Sequence, residues 1–356
     1  MEKLKAAVIG LGKMGAEPST RLKGKIPKGW LPISHLESVI SNSKLELKAI
    51  CDTDFARLKY ISKLYKIKNT YEDYRKLIDD ISPYFLTIAT RTKIRYEIIK
   101  YACEHGVKII YFEKPISNSI HQSAEIIKIA KTNNVILGYG VNRRYHQTYR
   151  KAKKIIQSGL IGELQQITIE HGHSNLYWSH PHSVDLMLYF SDSIEIKYIQ
   201  GNCSFINNYE LDDDNFIDND PLVNNAFIEF NNNIKGIITQ TKGTSTRLSC
   251  SKGIITIYSD GKSLEIMEFD KTGYYIKDSE IININILKSS TENAFEELIN
   301  SVNNIENLPI SPEEIHAGMV ILNGILYSSL KGGIKIKSEE IPKNLIISGK
   351  NLNLYA

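Results

Sequence analysis

Gly10, Gly12 and Gly15 stand at G-x-G-x-x-G spacing directly after the apolar run Ala6-Ala7-Val8-Ile9. That pattern suits a dinucleotide pyrophosphate. The first glycine permits a tight turn and the second lets backbone approach the phosphates; the third allows close packing of the next helix, whose N-terminal amides face the anion. A strand immediately before the turn raises the motif above a chance glycine cluster. The helix that should follow is interrupted, because Pro18, Pro27 and Pro32, with Gly24 and Gly29, forbid continuous helix over 16–34. A fresh start appears at Ser34-His35-Leu36-Glu37, a capping box leading into Leu36, Val39 and Ile40. Residues 16–34 therefore read as a 19-residue insertion carrying Arg21, Lys23, Lys25 and Lys28 beside Trp30. With it removed, Asp52 follows Gly15 by about 18 positions, close to the ~20 expected for the acid on the adenosine ribose. An Asp there accepts from both ribose hydroxyls and repels a 2′-phosphate. NAD is expected over NADP, with Arg57 as the feature that keeps NADP open. The insertion is expected to reach toward the substrate cleft and not to bury the phosphates.

Other reactive side chains carry less. His171, His173, His180 and His182 form a doubled H-x-H pattern, yet no cysteine or suitably spaced Glu completes a zinc site, so no metal is expected. Asp212, Asp213 and Asp214, with Asp218 and Asp220, lack the glycine and closing Glu of a calcium loop and read as a solvated surface loop. Cys51, Cys103, Cys203 and Cys250 contain no C-x-x-C pair, which fits reduced thiols in a cytoplasm.

The elements that position these groups change character midway. Strand signals at 6–9, 45–50, 84–89 and 107–112 alternate with helical spacing at 55–66 and 96–104, the signature of a parallel sheet covered on both faces. After Val141 a helix over 149–157 leads into strands at 164–171, 194–205, 225–230, 235–241, 253–258 and 264–269, with turns at Asn231-Asn232-Asn233 and Asp260-Gly261. A last helix over 312–330 starts at Ser311-Pro312-Glu313-Glu314. The fold class expected is α/β: an N-terminal doubly wound parallel sheet over 1–141, then a C-terminal α/β domain with an open, mostly antiparallel sheet over 142–356. The last helix is expected to pack back near the first domain. With 356 residues, 42% hydrophobic and 24% charged, the chain has the composition of a two-domain globular protein. A net charge of +4 does not argue for nucleic acid. No apolar run reaches transmembrane length, and the first residues carry no secretory h-region, so a cytoplasmic protein without membrane partners is expected.

Five short motifs in order then resemble one family. Gly10 to Gly15, Glu113-Lys114-Pro115, Gly140-Val141-Asn142-Arg143-Arg144-Tyr145, Ser158-Gly159-Leu160-Ile161-Gly162 and His182-Ser183-Val184-Asp185 are similar to the glucose–fructose oxidoreductase / inositol dehydrogenase / MocA (Gfo/Idh/MocA) family. The resemblance spans nearly the whole chain. It implies a Rossmann domain with the active site between it and the second domain. Lys114 would contact both nicotinamide and substrate hydroxyl, and His182 would be the acid/base. Asp185, Arg144, Tyr145, Trp178 and Arg95 would bind substrate. Gly10, Gly12, Lys13, Met14, Gly15, Asp52, Thr53, Ala89, Thr90, Arg91, Glu113, Lys114 and Asn142 would bind the cofactor. Such residues make chemical sense, since carbinol oxidation sends a hydride off carbon and a proton off oxygen. A histidine can take that proton near neutral pH, and an ammonium stabilises the charge developing on oxygen.

Departures from the family pattern are informative. Trp178 stands four residues before His182, where many relatives carry an acid, and Arg91 and Arg95 replace a proline and a histidine after the fourth strand. The added positive charge points to an anionic carbohydrate, such as a nucleotide-linked sugar. The function expected is an NAD-dependent sugar dehydrogenase or reductase. An isomerase, lyase or glycosidase that retains its NAD through a keto intermediate is the alternative, and a non-catalytic NAD-binding regulator is the third reading. An open antiparallel sheet has one face to bury, giving the expectation of a homodimer or homotetramer.

Overall fold

The computed structural model describes residues 2–171, 174–205, 216–241, 243–303 and 308–347. Its first sheet contains β1 (Leu4–Ile9), β2 (Leu45–Cys51), β3 (Thr70–Tyr71), β4 (Phe85–Ile88), β5 (Ile109–Phe112) and β6 (Ile136–Tyr139), all parallel, in the order β3-β2-β1-β4-β5-β6. These strands are near-continuous apolar runs because both faces are covered. Helices α1 (His35–Ser41), α2 (Phe55–Tyr65), α3 (Tyr74–Ile81), α4 (Thr92–Glu104) and α5 (Ile120–Thr132) make the crossovers. Side-chain oxygens of Asp54, Asp73 and Ser119 cap α2, α3 and α5. This strand order reverses direction between β1 and β4, and ligands of such sheets bind outside the strand ends at that switch point. The glycine turn ends β1, Asp52 follows β2, Ala89 to Arg91 follow β4, Glu113 and Lys114 follow β5, and Gly140 follows β6. One topological rule thus gathers residues spread over 130 positions.

The chain then runs through α6 (Gln147–Gln157), β7 (Leu164–Glu170), β8 (Ser174–Asn175), α7 (Leu176–Ser191) and β9 (Ile196–Ser204). There follow β10 (Phe216–Ile217), β11 (Leu222–Phe230), β12 (Lys235–Ile238), β13 (Ser245–Cys250), β14 (Gly253–Tyr258), β15 (Ser263–Phe269) and β16 (Ile276–Ile282), then α8 (Ser290–Asn300), α9 (Pro312–Leu330) and β17 (Ile346–Ile347). A nine-stranded sheet has the order β16-β15-β14-β13-β7-β12-β11-β8, with β9 also pairing β11. It is antiparallel except for β12 against β7. Both expected turns are made in the left-handed region, at Asn233 (φ 67°) between β11 and β12 and at Asp260 (φ 57°) between β14 and β15.

Several elements escape the sequence reading, among them β3, β6, β13, β16, α3 and α5, and two further missed helices bear on the packing around the site. Helix α8 lies after the second sheet in the chain but packs on the first. Phe295 sits between Phe85 and Tyr111, with ring centroids 5.0 and 4.9 Å away, and Leu298 fills the space that a side chain at Gly138 would need. Helix α7 carries Pro181 inside it and is buried almost all round, so neither amphipathic spacing nor breaker-free sequence betrays it. Helix α9 lies against α5, where Ser123 Oγ and His316 Nδ1 are 2.8 Å apart.

Candidate active site

Local geometry at the glycine turn is dictated by the glycines. Gly10 has φ +85° and a Cβ there would lie 2.7 Å from the Ala89 carbonyl carbon; a Cβ on Gly15 would lie 1.8 Å from Gly10 O. Gly12 differs, having nothing within 4 Å of its Cβ position. Its open side is where a pyrophosphate approaches the backbone, so the cradle fits a dinucleotide.

The interrupted helix is in fact spliced. Ala16 N donates to Gly12 O, and His35 N and Leu36 N then donate to Met14 O and Gly15 O at 2.8 Å. In an unbroken helix those two bonds come from residues 18 and 19. His35 therefore stands where residue 18 would, an excursion of 17 residues where 19 were expected. With that displacement removed Asp52 follows Gly15 by 20 positions, and its Oδ2 accepts from Leu11 N at 2.7 Å. The capping box at Ser34 is half made. Ser34 Oγ accepts from Glu37 N at 3.4 Å, but the Glu37 carboxylate accepts from Ser19 N at 3.0 Å, tying the excursion down.

Two hollows adjoin. The larger, about 640 Å³, is lined by Gly10, Gly12, Lys13, Asp52, Thr53, Ala89, Thr90, Arg91 and Trp178. The smaller, about 330 Å³, is lined by Met14, Glu113, Lys114, Asn142, Trp178 and His182 together with Arg143, His171, Ser179, Thr244 and Asp260. Leu22, Ile26, Trp30 and Ile33 complete it from the excursion, which therefore does reach the second hollow. Trp178 belongs to both. Its ring lies 4.2 Å from Lys114 Nζ, and its backbone carbonyl accepts from Nζ at 2.5 Å.

Electrostatics differentiate the two expected reacting groups. Burial, helped by the positive Arg95 and Arg143 and opposed by Glu113 and Asp220, brings the Lys114 ammonium down from 10.5 to about 8. Burial also drives His182 well below 6.5, reinforced by Arg143, Lys114 and the imidazoles of His171 and His180. At pH 7 Lys114 is thus charged and His182 neutral. His182 Nδ1 has no hydrogen-bond partner among the described residues. His171 is held by Ser183 Oγ at 3.2 Å, and the same hydroxyl meets His180 Nδ1 at 3.0 Å. His173 lies outside the described residues. Among these, no three His, Cys, Asp or Glu side chains gather as metal ligands.

Several expected substrate contacts lie instead in the scaffold behind the cavity. Arg144, 2% exposed, donates through Nε to Asp185 Oδ1 at 2.9 Å, through Nη1 to Pro309 O at 2.9 Å, and through Nη2 to Glu314 at 3.0 Å. Asp185 and Tyr145 are buried beside it. Arg95 is wholly buried and bridges Thr90 O to Pro115 O, bracing the loop after β4 against the Lys114 turn. The reason is geometric: Arg95 lies on the inner face of α4, and the short 3-10 turn Asn142–Tyr145 sends Arg143, not Arg144, toward the cavity. Arg143 is held bidentately by Asp260, at 2.7 and 3.1 Å.

Asp220 also corrects the solvated-loop reading. It is 5% exposed and accepts from the backbone of Tyr177 at 2.8 Å and Trp178 at 2.9 Å, holding the first turn of α7. Burial pushes it up to about 7 against those bonds and Lys114. Asp218 is exposed, while Asp212, Asp213 and Asp214 lie outside the described residues.

A model of an oxidoreductase family with an NAD-binding Rossmann fold, Gfo/Idh/MocA, matches residues 4–141. The uncharacterized oxidoreductase YrbE of Bacillus subtilis is 30% identical over 39% of this chain and 40% of its own length. Myo-inositol 2-dehydrogenase of Thermotoga maritima is 26% identical over 45% of this chain and 42% of its own. The matches thus span about two fifths of these relatives. The fold of an oxidoreductase from Agrobacterium radiobacter, solved with NAD+, L-tartaric acid and magnesium, superposes with a TM-score of 0.72 over 96% of this chain and 100% of that one, at 15% identity. Over residues 4–141, then, the chain is similar to the NAD-binding Rossmann domain of the Gfo/Idh/MocA oxidoreductase family.

Proposed function

We propose that the protein is an NAD-dependent dehydrogenase or reductase acting on a carbohydrate or polyol hydroxyl and its ketone. The observation that carries this reading is the pairing, in one cavity at the end of the cofactor cleft, of a charged Lys114 with a neutral His182. When bound, the nicotinamide supplies the hydride acceptor or donor. His182 takes the hydroxyl proton through a ring nitrogen, and Lys114 stabilises the negative charge that grows on the same oxygen. Trp178 Oxygen and ring hold the Lys114 ammonium in place meanwhile. Asp52, fixed on Leu11 N, would accept from the adenosine ribose hydroxyls, which favours NAD over NADP.

The expectation of an anionic or nucleotide-linked sugar rested on Arg91, Arg95 and the bases of the excursion. Arg95 is buried, Arg143 is paired with Asp260, Arg91 lines the cofactor cleft, and Lys23, Lys25 and Lys28 are exposed without lining the cavity. We therefore adopt an uncharged carbohydrate. Myo-inositol 2-dehydrogenase, similar over 45% of this chain, acts on a substrate of that kind by its name. The test is NADH formation with free sugars and inositols against their nucleotide-linked forms, in wild type and Lys114→Ala. Turnover of free forms that Lys114→Ala abolishes supports the reading. Conversion of substrate without net NADH points to the cofactor-retaining alternative.

A further inference from the structure

The excursion sorts its side chains by polarity. Leu22, Ile26, Trp30 and Ile33 line the cavity, whereas Lys23, Lys25 and Lys28 face outward. Apart from Met14 and Trp178, the remaining side chains of the lining are polar, among them Lys114, Asn142, His171, Ser179, His182 and Thr244. The apolar wall is also firmly placed. Trp30 Nε1 donates to Asp260 O at 3.0 Å, His146 Nε2 to Lys28 O at 2.9 Å, and Ser290 N to Gly29 O at 2.8 Å. Gly29 has φ +90° and a Cβ there would lie 2.5 Å from His146 Nε2, so the segment is fitted to the second domain and the β14–β15 turn.

We propose that this wall selects, among carbohydrates, those with a deoxy carbon or an alkyl group on the side away from the reacting hydroxyl. The inference rests on the hydride-transfer reading for the polar wall and adds what the other wall requires. A fully hydroxylated ring places hydroxyls against Leu22, Ile26 and Ile33, which offer no hydrogen-bond partner from their side chains; a buried hydroxyl without a partner is disfavoured. A methyl in its place fits the surface and gains from burial. Discrimination by an apolar pocket at one such position is on the order of 10- to 100-fold.

The test uses matched pairs with NAD: 6-deoxyglucose against glucose, 6-deoxygalactose against galactose, and an O-methyl inositol against myo-inositol. Each pair is compared as a ratio of kcat/KM in wild type and in Ile26→Thr with Ile33→Thr, so that general damage to the enzyme cancels. The chain's two tryptophans, Trp30 and Trp178, both line the cavity, so quenching of their fluorescence reports occupancy without turnover. Wild type should favour the less hydroxylated member at least about tenfold, and the variant should bring the ratio to within about threefold of unity. Equal or reversed preference in wild type overturns the inference and leaves hydride transfer standing. Quenching that shows the preference without any NADH formation supports the wall and overturns the hydride-transfer reading. Neither turnover nor quenching by any member overturns both.

Discussion

Replacing Lys114 by Met should stabilise the protein while sharply reducing its turnover. Keeping this ammonium protonated where its pKa is about 8, when 10.5 is its ordinary value, costs roughly 3 kcal/mol at any pH below about 8. Met fills the space without charge. It forfeits the contact of Nζ with the Trp178 ring and its hydrogen bond to Trp178 O, together worth about 2 kcal/mol, which leaves a net gain of about 1 kcal/mol at pH 7. The sign follows from linkage. The folded pKa lies below the unfolded one, so the penalty is complete below the folded value, shrinks as pH rises from about 8 to 10.5, and is gone above that. Urea unfolding at pH 7, 9 and 10.5 measures this directly, provided the m-values of wild type and variant agree. Turnover should fall by about 100- to 1000-fold, as for loss of one charge-stabilising donor. A variant less stable than wild type at pH 7, or a difference that does not change with pH, would refute the reasoning.

Further outcomes follow from the same geometry. For carbinol oxidation, kcat/KM should rise through a pKa well below 6.5 as His182 loses its proton and fall through about 8 as Lys114 loses its own, and Lys114→Met should remove the alkaline limb. Gly12→Ala should leave the melting temperature unchanged, since its Cβ meets nothing, yet weaken NAD binding at least about tenfold in a fluorescence titration by blocking backbone approach to the pyrophosphate. Arg144→Met should cost about 3–5 kcal/mol in chemical unfolding, because Asp185 and Glu314 are left without their buried partner, while the folded fraction still binds NAD. Joining residue 17 to His35, which removes the excursion at its hydrogen-bonded neck, should raise KM for substrate more than KM for NAD; the opposite ranking would contradict the placement of its apolar residues in the second hollow.

How far the sequence carries depends on whether a signal is local. The glycine turn, Asp52 and four of the six strands of the first sheet are short-range patterns, and each lies where its spacing says; β3 and β6 do not announce themselves. The break after Gly15 was visible in its prolines, but its length was misjudged by two because the helix resumes through long-range bonds from His35 and Leu36. Arg143 and Arg144 are adjacent and identical in type. Only the 3-10 turn decides that the first faces the cavity and the second the core. Asp220 sits in an acidic run whose ordinary fate is solvent, and its burial depends on α7, an element that Pro181 and an apolar circumference conceal. Trp30 and Asp260 are 230 positions apart, and no local pattern announces that contact. Substrate-facing groups were thus hard to read for the same reason that the cofactor turn was easy: they are brought together by tertiary packing.

The central claim is that Lys114 and His182 serve hydride transfer between nicotinamide and a carbohydrate carbon. A carbohydrate found to support NADH formation, deuterated at its reacting carbinol carbon, tests this when the nicotinamide is recovered and weighed by mass spectrometry. The account predicts one deuterium in the NADH formed by wild type and no labelled NADH with Lys114→Ala. Unlabelled NADH, or labelled NADH formed equally well by Lys114→Ala, would contradict it.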